Sequence, residues 1–326
     1  MADMPTGRLG LGVAVVNGKM YAIGGANENG FLNTNEEYDP ATNTWVSKKP
    51  MPTPRGAFGI AAYQNKIYVI GGGGEFGLEE VTGVNEVYDP STDTWENKAS
   101  MPTARASLCA NVVTGKIYLI GGSKPYFLWE TPVPNQNEVY DIATDSWTTK
   151  TPPPTQVSGY ASAVVDNKIF IIGGNVVGYI SNLIQIYRPE TDTWGSGTPI
   201  PNAASGAAAG ATTGVVAPKR IYVMGGYPTF NLNQVYDPEK DTWIMGARMP
   251  TNRVGFGVAV VNDMLYAIGN YRENQRYTPF WSLPPDTTPL PIAWIAAATA
   301  IVLIGGAAII LGAAIYRRKR SASSKT

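Results

Sequence analysis

Short apolar runs that end in glycine recur along the chain and set its hydrophobic pattern. Five copies end in two glycines, and a sixth has lost the second: KMYAIGG (19–25), KIYVIGG (66–72), KIYLIGG (116–122), KIFIIGG (168–174), RIYVMGG (220–226) and MLYAIGN (264–270). The first glycines of successive copies lie 44 to 52 residues apart. Runs this short, rich in β-branched and aromatic residues, predict β-strands, and their spacing predicts six repeated units.

A nine-residue motif follows this run in five of the six units and places a tyrosine seven residues before a tryptophan. Its copies are EYDPATNTW (37–45), VYDPSTDTW (87–95), VYDIATDSW (139–147), IYRPETDTW (186–194) and VYDPEKDTW (235–243). Asp-Pro and the following Thr/Asn/Asp cluster are turn-forming residues, so the motif predicts the corner between a third and a fourth strand. An apolar run such as GVAVV (12–16) provides a first strand in front of each glycine-ended strand.

Four-stranded meanders repeated at this period cannot bury both faces alone, so successive sheets must stack around an axis as a β-propeller. The paired glycines, the tyrosine and the tryptophan resemble the kelch repeat over residues 1–281. The resemblance implies an all-β, six-bladed kelch-type β-propeller whose tyrosines and tryptophans pack between neighbouring blades. A WD40 propeller has a similar period, but its Gly-His signature needs histidine, which this chain lacks.

The sixth unit departs from the pattern. After Tyr277 the next tryptophan, Trp281, comes four residues later, and prolines follow. The chain begins MADMPTGR, which matches the end of a fourth strand and the link to a first strand. Kelch propellers often close with a strand from the N-terminus. We therefore expect ring closure to be incomplete at the N-terminus, because the sequence is truncated at its start or its initiation site is misassigned.

The C-terminal part predicts a membrane anchor. Residues 282–291 form a Pro/Thr-rich stalk, residues 292–316 carry no charge, and residues 317–326 begin with a basic cluster. An uncharged helix of this length spans a bilayer, and the basic flank predicts a cytoplasmic tail. The sequence thus predicts a single C-terminal transmembrane helix and an extracytoplasmic, cell-surface propeller. Export needs a signal peptide that the sequence lacks, which the same missing upstream segment would supply. The alternative is a tail-anchored protein with a cytoplasmic propeller.

Composition excludes several function classes. Lysine plus arginine equals aspartate plus glutamate at 25 each, so no excess of positive charge favours nucleic acid. The absence of histidine removes the commonest general base and metal ligand, and it excludes a copper site of the galactose oxidase kind. The single cysteine, Cys109, excludes an intramolecular disulfide and is interpreted as a core residue. No catalytic residue, metal site or cofactor is predicted.

Loop lengths vary on one face of the predicted disc only. The loops between strands one and two and between three and four are short and nearly uniform, whereas the interval from the first glycine to the tyrosine ranges from 8 to 19 residues. Variable loops on a rigid scaffold are typical of binding sites. We single out the loops 73–83 and 123–134. Their candidate partner-binding residues are Glu79, Glu80, Tyr126, Phe127 and Trp129. The alternative is that the aromatic loop folds over its own blade.

Four arginines each precede the first glycine of their unit by 16 residues: Arg8, Arg55, Arg105 and Arg253. Equivalent positions place them near the entrance to the central channel, where they could hold a carboxylate or an acidic peptide. The alternative is that they brace neighbouring loops. The fourth unit has Val157 at this position.

Two functions from different classes follow. The first is a membrane-anchored recognition module that binds a protein or glycan partner through the variable-loop face. The alternative is a carbohydrate-active enzyme, resembling kelch-like sugar epimerases or isomerases, that acts at the arginine-lined mouth. For the enzyme the sequence offers no convincing pair of acid and base residues.

Overall fold

A computed structural model of the chain describes residues 1–73, 81–123, 135–270 and 272–279. Within these ranges the chain consists of β-strands and turns arranged as six consecutive antiparallel sheets, which confirms the predicted six-bladed propeller. In each sheet the strands follow chain order, so every blade is a meander.

The first three blades differ mainly in their second connection, which carries a small hairpin in the first blade. Blade one contains β1 (Gly12–Val16), β2 (Lys19–Ile23), the hairpin β3 (Ala26–Asn27) and β4 (Gly30–Phe31), β5 (Asn35–Asp39) and β6 (Thr44–Lys48). Blade two contains β7 (Gly59–Tyr63), β8 (Lys66–Ile70), β9 (Asn85–Asp89) and β10 (Thr94–Lys98). Blade three contains β11 (Ala110–Val113), β12 (Lys116–Ile120), β13 (Asn137–Asp141) and β14 (Ser146–Thr149).

The last three blades repeat this order, and the sixth is shorter. Blade four contains β15 (Ala161–Val165), β16 (Lys168–Ile172), the hairpin β17 (Asn175–Val176) and β18 (Tyr179–Ile180), β19 (Ile184–Arg188) and β20 (Thr193–Gly197). Blade five contains β21 (Ala208–Ala211), β22 (Ile221–Met224), β23 (Asn233–Asp237) and β24 (Thr242–Met245). Blade six contains β25 (Gly257–Val261), β26 (Met264–Ile268) and β27 (Gln275–Tyr277), the three strands that the described residues provide.

The hydrophobic core lies between blades, because each sheet is covered on both faces by its neighbours. Ile23 of blade one packs with Ile67, Val69 and Tyr88 of blade two. The second strand of each blade is accordingly buried at four successive positions rather than at alternate ones. A strand buried on both faces explains why these runs read as continuous apolar segments in the sequence.

A closed ring of backbone hydrogen bonds surrounds the central axis. One residue from each blade donates its N–H to the carbonyl of the preceding blade's residue, at N···O distances of 2.6 to 3.0 Å. All six residues have φ between +54° and +67°. The ring residues are Gly10, Ala57, Ser107, Gly159, Gly206 and Gly255. Four of the six are glycines, which adopt this left-handed conformation without steric strain. The bond from Gly10 to Gly255 joins the first blade to the sixth.

The N-terminal residues lie against the sixth blade. The Met4 N–H donates to the Arg272 carbonyl at 2.7 Å, and the Asn274 side-chain amide donates to the Ala2 carbonyl at 2.8 Å. In blade one the Met51 N–H and the Asn35 amide make the same bonds, to Asn33 and Lys49. Residues 2–4 therefore occupy the place where a fourth strand of blade six would end.

The predicted stalk, membrane helix and basic tail lie outside the described residues. Among the residues that are described, no helix has the length and apolar character needed to cross a membrane.

Candidate functional site

The repeated tyrosine–tryptophan corner fastens each blade to the one before it. In blade two the Asp93 carboxylate accepts the Lys49 N–H at 2.9 Å, and the Trp95 indole N–H donates to the Lys49 carbonyl at 2.9 Å. Lys49 lies at the end of the preceding blade's fourth strand. Its N–H and its carbonyl are thus both paired by side chains of blade two. The Tyr88 hydroxyl donates to the same carboxylate oxygen at 2.6 Å and holds it in place.

This arrangement, which we call the corner clasp, recurs in the first five blades. The clasped residues of the preceding strand are Ala2, Lys49, Ala99, Thr151 and Thr198. In blade one an amide replaces the carboxylate, since Asn43 accepts the Ala2 N–H at 2.6 Å. In the other four the hydrogen bond from the tyrosine lowers the pKa of the clasp aspartate, as for Asp93 and Asp145. The tyrosine–tryptophan motif therefore has a structural role, because it joins neighbouring blades.

The predicted arginines are buried inside their own blades. Arg55 donates from Nε to the Gly71 carbonyl at 2.9 Å and from Nη2 to the Val69 carbonyl at 2.9 Å, both on the second strand or its end. Its Nη1 contacts the Glu86 carboxylate on the third strand. The Glu86 carboxylate also accepts the Thr53 hydroxyl at 2.6 Å. Burial lowers the pKa of the Arg55 guanidinium, and Glu86 opposes that shift.

Blades one and three contain the same arrangement of a buried arginine paired with a glutamate of the third strand, which we call the brace. Arg8 pairs with Glu36 at 2.5 Å, and Arg105 pairs with Glu138. In each case the side chains of both partners are nearly inaccessible to solvent. Buried charges of this kind persist in proteins only when they are paired and hydrogen-bonded.

Arg253 of blade six is equally buried but has a different set of partners. Its Nη1 donates to the Gly269 carbonyl at 2.5 Å, and its Nη2 donates to the Glu273 carbonyl at 2.6 Å. The position of the brace glutamate is taken by Gln275, whose amide donates to the Thr251 hydroxyl at 2.7 Å.

Blades four and five replace both members of the brace together. Val157 stands at the arginine position of blade four, and Gln185 stands at the glutamate position. The Gln185 amide makes two hydrogen bonds with the backbone of Thr155, at 2.8 and 2.9 Å. In blade five Gln234 bonds the backbone of Asn202 in the same way, at 2.8 and 2.9 Å. In these two blades a neutral glutamine side chain thus holds the segment that leads into the first strand. In blades one to three the arginine and glutamate hold the same segment.

The four arginines therefore have the geometry of braces, which is the alternative that the sequence left open beside ligand binding. Their positions do lie next to the channel mouth, because each precedes its ring residue by two positions. Their guanidinium groups nevertheless turn into the blade. Sequence reasoning missed their partners, although a Glu or Gln two residues before each motif tyrosine was a visible signal.

The variable-loop face presents apolar side chains at two described places. The β17–β18 hairpin of blade four carries Val177 and Tyr179, which are 69% and 55% exposed. Leu9, on the link into blade one, is 44% exposed and forms a bridge with Ala26 at the base of the β3–β4 hairpin. The other predicted binding residues, Glu79, Glu80, Tyr126, Phe127 and Trp129, lie outside the described residues.

The described part of the chain offers no group of His, Cys, Asp and Glu side chains that could hold a metal ion. The Cys109 thiol is packed against blade four, where its Sγ lies 3.5 Å from the Tyr160 carbonyl oxygen. Burial raises the pKa of this thiol, so it is a poor nucleophile at neutral pH.

Comparisons with known proteins agree with this architecture. A family model described as the KLHDC2/KLHL20/DRC7 kelch-repeats domain matches residues 2–122, and the kelch motif matches residues 104–154 and 157–199. No match was found among curated protein sequences. The solved structure of YjhT is similar to this chain with a TM-score of 0.69 and 18% identity, over 85% of this chain and 97% of that one. At this identity the likeness concerns the fold alone.

Proposed function

The chain belongs to the kelch-repeat family, and from that premise we propose that it is a non-catalytic recognition module that binds a protein or glycan partner through its variable-loop face. This face consists of the connections between second and third strands and the links between blades. The observation that carries the proposal is the contrast between a rigid, repeated frame and the connections on this face, which differ from blade to blade. On the opposite face the described connections are short except for residues 212–220 of blade five, so the expectation that loop length varies on one face only is wrong for that blade.

The frame is rigid because the central ring and the corner clasps tie neighbouring blades together. On the variable-loop face the bases of the connections repeat the same backbone hydrogen bonds, as in Gly56–Gly73 and Ser158–Asn175, but the described residues beyond these bases differ from blade to blade. Blades one and four place hairpins there, and the blade-four hairpin exposes Val177 and Tyr179. Exposed aromatic and aliphatic side chains on a fixed scaffold are effective anchors for a partner.

A second candidate, a carbohydrate-active enzyme at the channel mouth, has less support. It relied on arginine side chains that are free to hold an acidic sugar. Arg8, Arg55 and Arg105 instead donate from all three of their guanidinium nitrogens to groups of their own blade. Turnover of an acidic sugar by the protein would nevertheless revive this candidate.

We further propose that residues 292–316 anchor the module in a membrane, with the propeller outside and the basic tail in the cytoplasm. The support is the uncharged stretch and its basic flank. Protease added to intact cells should remove the propeller and leave the anchor protected. Protection of the propeller would reverse the orientation.

The recognition face is tested by matched surface variants of the full chain. V177S/Y179S changes the hairpin of blade four, and a Y126A/F127A/W129A variant changes the predicted anchor loop. Val46→Ser and Ile244→Ser alter equally exposed side chains on the outer strands β6 and β24. Binding partners are identified by cross-linking in cells and by a glycan array, and thermal melting checks the fold.

We expect the face variants to lose a partner that the wild type and the outer-strand variants retain. The proposal fails if both face variants keep every partner while an outer-strand variant loses it.

A further inference from the structure

Four blades share an ion pair at the end of the third strand. There an aspartate accepts the backbone N–H two residues later, with N···O distances of 2.8 to 3.1 Å. The same carboxylate faces the cation that begins the second strand, as in Lys19–Asp39 at 3.6 Å and Arg220–Asp237 at 2.9 Å. The aspartates concerned are Asp39, Asp89, Asp141 and Asp237. One carboxylate thus satisfies a turn amide and a side-chain cation together.

Blade four keeps the donors of this arrangement but has no carboxylate of its own there. Lys168 begins the second strand as lysine does in blades one to three, but Arg188 stands where blades one, two, three and five have aspartate. The strand register Ile169 to Tyr187 places Lys168 directly across from Arg188. Within the described residues, neither cation has an ion pair, and the Glu190 N–H has lost the side chain that would accept it. Like charges at opposed positions destabilise a sheet.

A neighbouring glycine shows that Arg188 is accommodated by the fold. A Cβ on Gly195 would lie 2.5 Å from Arg188 Nη1, so no other residue fits there without displacing the guanidinium. The other blades carry side chains at this position of the fourth strand, for example Val46 and Ile244. Gly195 pairs with Ile186, two residues before Arg188. The guanidinium therefore lies back along the strand, away from the turn amide of Glu190.

We propose that this corner of blade four, formed by Lys168 and the Glu190 amide, binds a carboxylate supplied by a protein partner, from an acidic side chain or a chain terminus. Blades one, two, three and five show the chemistry, because there an internal carboxylate accepts the equivalent amide and faces the equivalent cation. The incoming group would take the place of that aspartate between the Glu190 amide and Lys168. The site lies on the uniform-loop face, opposite the variable-loop face, and is independent of the function proposed above.

The test uses the full chain, isotope-labelled and held in detergent micelles, with amide NMR as the readout. Acetate is titrated against chloride at constant ionic strength, and inorganic phosphate is titrated in a parallel arm. Ser91 and Thr92 of blade two are internal controls, because Asp89 already fills their site. We expect saturable shifts of the Glu190 and Thr191 amides with acetate, weaker shifts with phosphate, and unchanged controls.

Two variants complete the experiment. R188D restores the residue of the other blades, so we expect it to abolish the acetate shifts and to leave the melting temperature equal or higher. K168M removes one donor and should weaken binding about two- to fivefold, as for an exposed ion pair. Shifts that persist in R188D, or that appear equally at Ser91 and Thr92, would overturn the proposal. Tighter binding of phosphate than of acetate would overturn the assignment of a carboxylate.

Discussion

Blades one to three and blades four and five hold the same segment of chain by different chemistry. In the first group a buried arginine joins the link to the second and third strands through a glutamate, as Arg55 does with Glu86. In the second group Gln185 or Gln234 reaches the link backbone directly, and a small aliphatic residue replaces the arginine. The link is in the same place in both groups, as the central ring of hydrogen bonds shows.

The contrast teaches that the brace is a unit. Burying a charge is costly, and a partner offsets that cost only when both members are present. Removing the arginine alone would leave a buried carboxylate. Removing the glutamate alone would leave a buried cation that needs other acceptors, such as the backbone carbonyls that Arg253 of blade six reaches. A glutamine at the glutamate position, combined with an aliphatic residue at the arginine position, avoids both costs because neither side chain is charged. This explains why no described blade combines a brace glutamate with an aliphatic residue at the arginine position.

The largest effect should come from breaking the unit. Arg55→Met leaves Glu86 buried with only its threonine partner, and we expect a loss of about 3–5 kcal/mol in the free energy of unfolding at pH 7. Denaturant unfolding measures it. Val157→Met is the matched control at the same position in blade four and should cost less than about 1.5 kcal/mol. Equal losses in the two variants would show that the charge pair is irrelevant.

An intermediate effect should come from placing the glutamate where its arginine is absent. Gln185→Glu puts a carboxyl group beside Val157, so we expect a loss of about 2–3 kcal/mol at pH 7. Burial raises the pKa of such a group in the folded state, so the loss is largest at neutral pH and disappears as the pH falls below the unfolded-state value. Melting curves between pH 4 and pH 8 follow it. A loss that does not depend on pH would contradict the assignment.

The smallest effect should come from replacing an arginine–glutamate pair with the valine and glutamine of blade four. R105V/E138Q gives blade three the residues of blade four, and we expect a change of no more than about 1–2 kcal/mol, because no buried charge remains unpaired. The single variants Arg105→Val and Glu138→Gln should each cost more than the double variant. If the effects of the two single variants add in the double variant, the two residues do not act as a unit.

Much of the fold was predictable because its signals are local. The glycine-ended runs and the tyrosine–tryptophan motif each lie within one or two strands, so their spacing alone indicated blade number and strand order. The candidate site was predicted less well. The arginines were expected beside the channel mouth, but a spacing of 16 residues does not say whether a side chain turns towards solvent or into the sheet.

The role of the motif aspartate was also beyond sequence reasoning. Asp93 looks like an ordinary turn residue in VYDPSTDTW, and its neighbours in sequence explain the turn. Its carboxylate in fact accepts an N–H from Lys49, which lies 44 residues earlier. The same holds for Arg188, whose substitution for aspartate is visible in IYRPETDTW but acquires meaning only when Lys168 is known to lie opposite.

The sequence by itself determined the repeat, the number of blades and the residues that form each corner, because strand propensity and turn chemistry act over a few residues. Only the tertiary structure decided which charges are buried, which backbone groups the side chains reach, and that Gly10 meets Gly255. These contacts join residues that are far apart in the chain, and their energies depend on burial and distance, which no local pattern records.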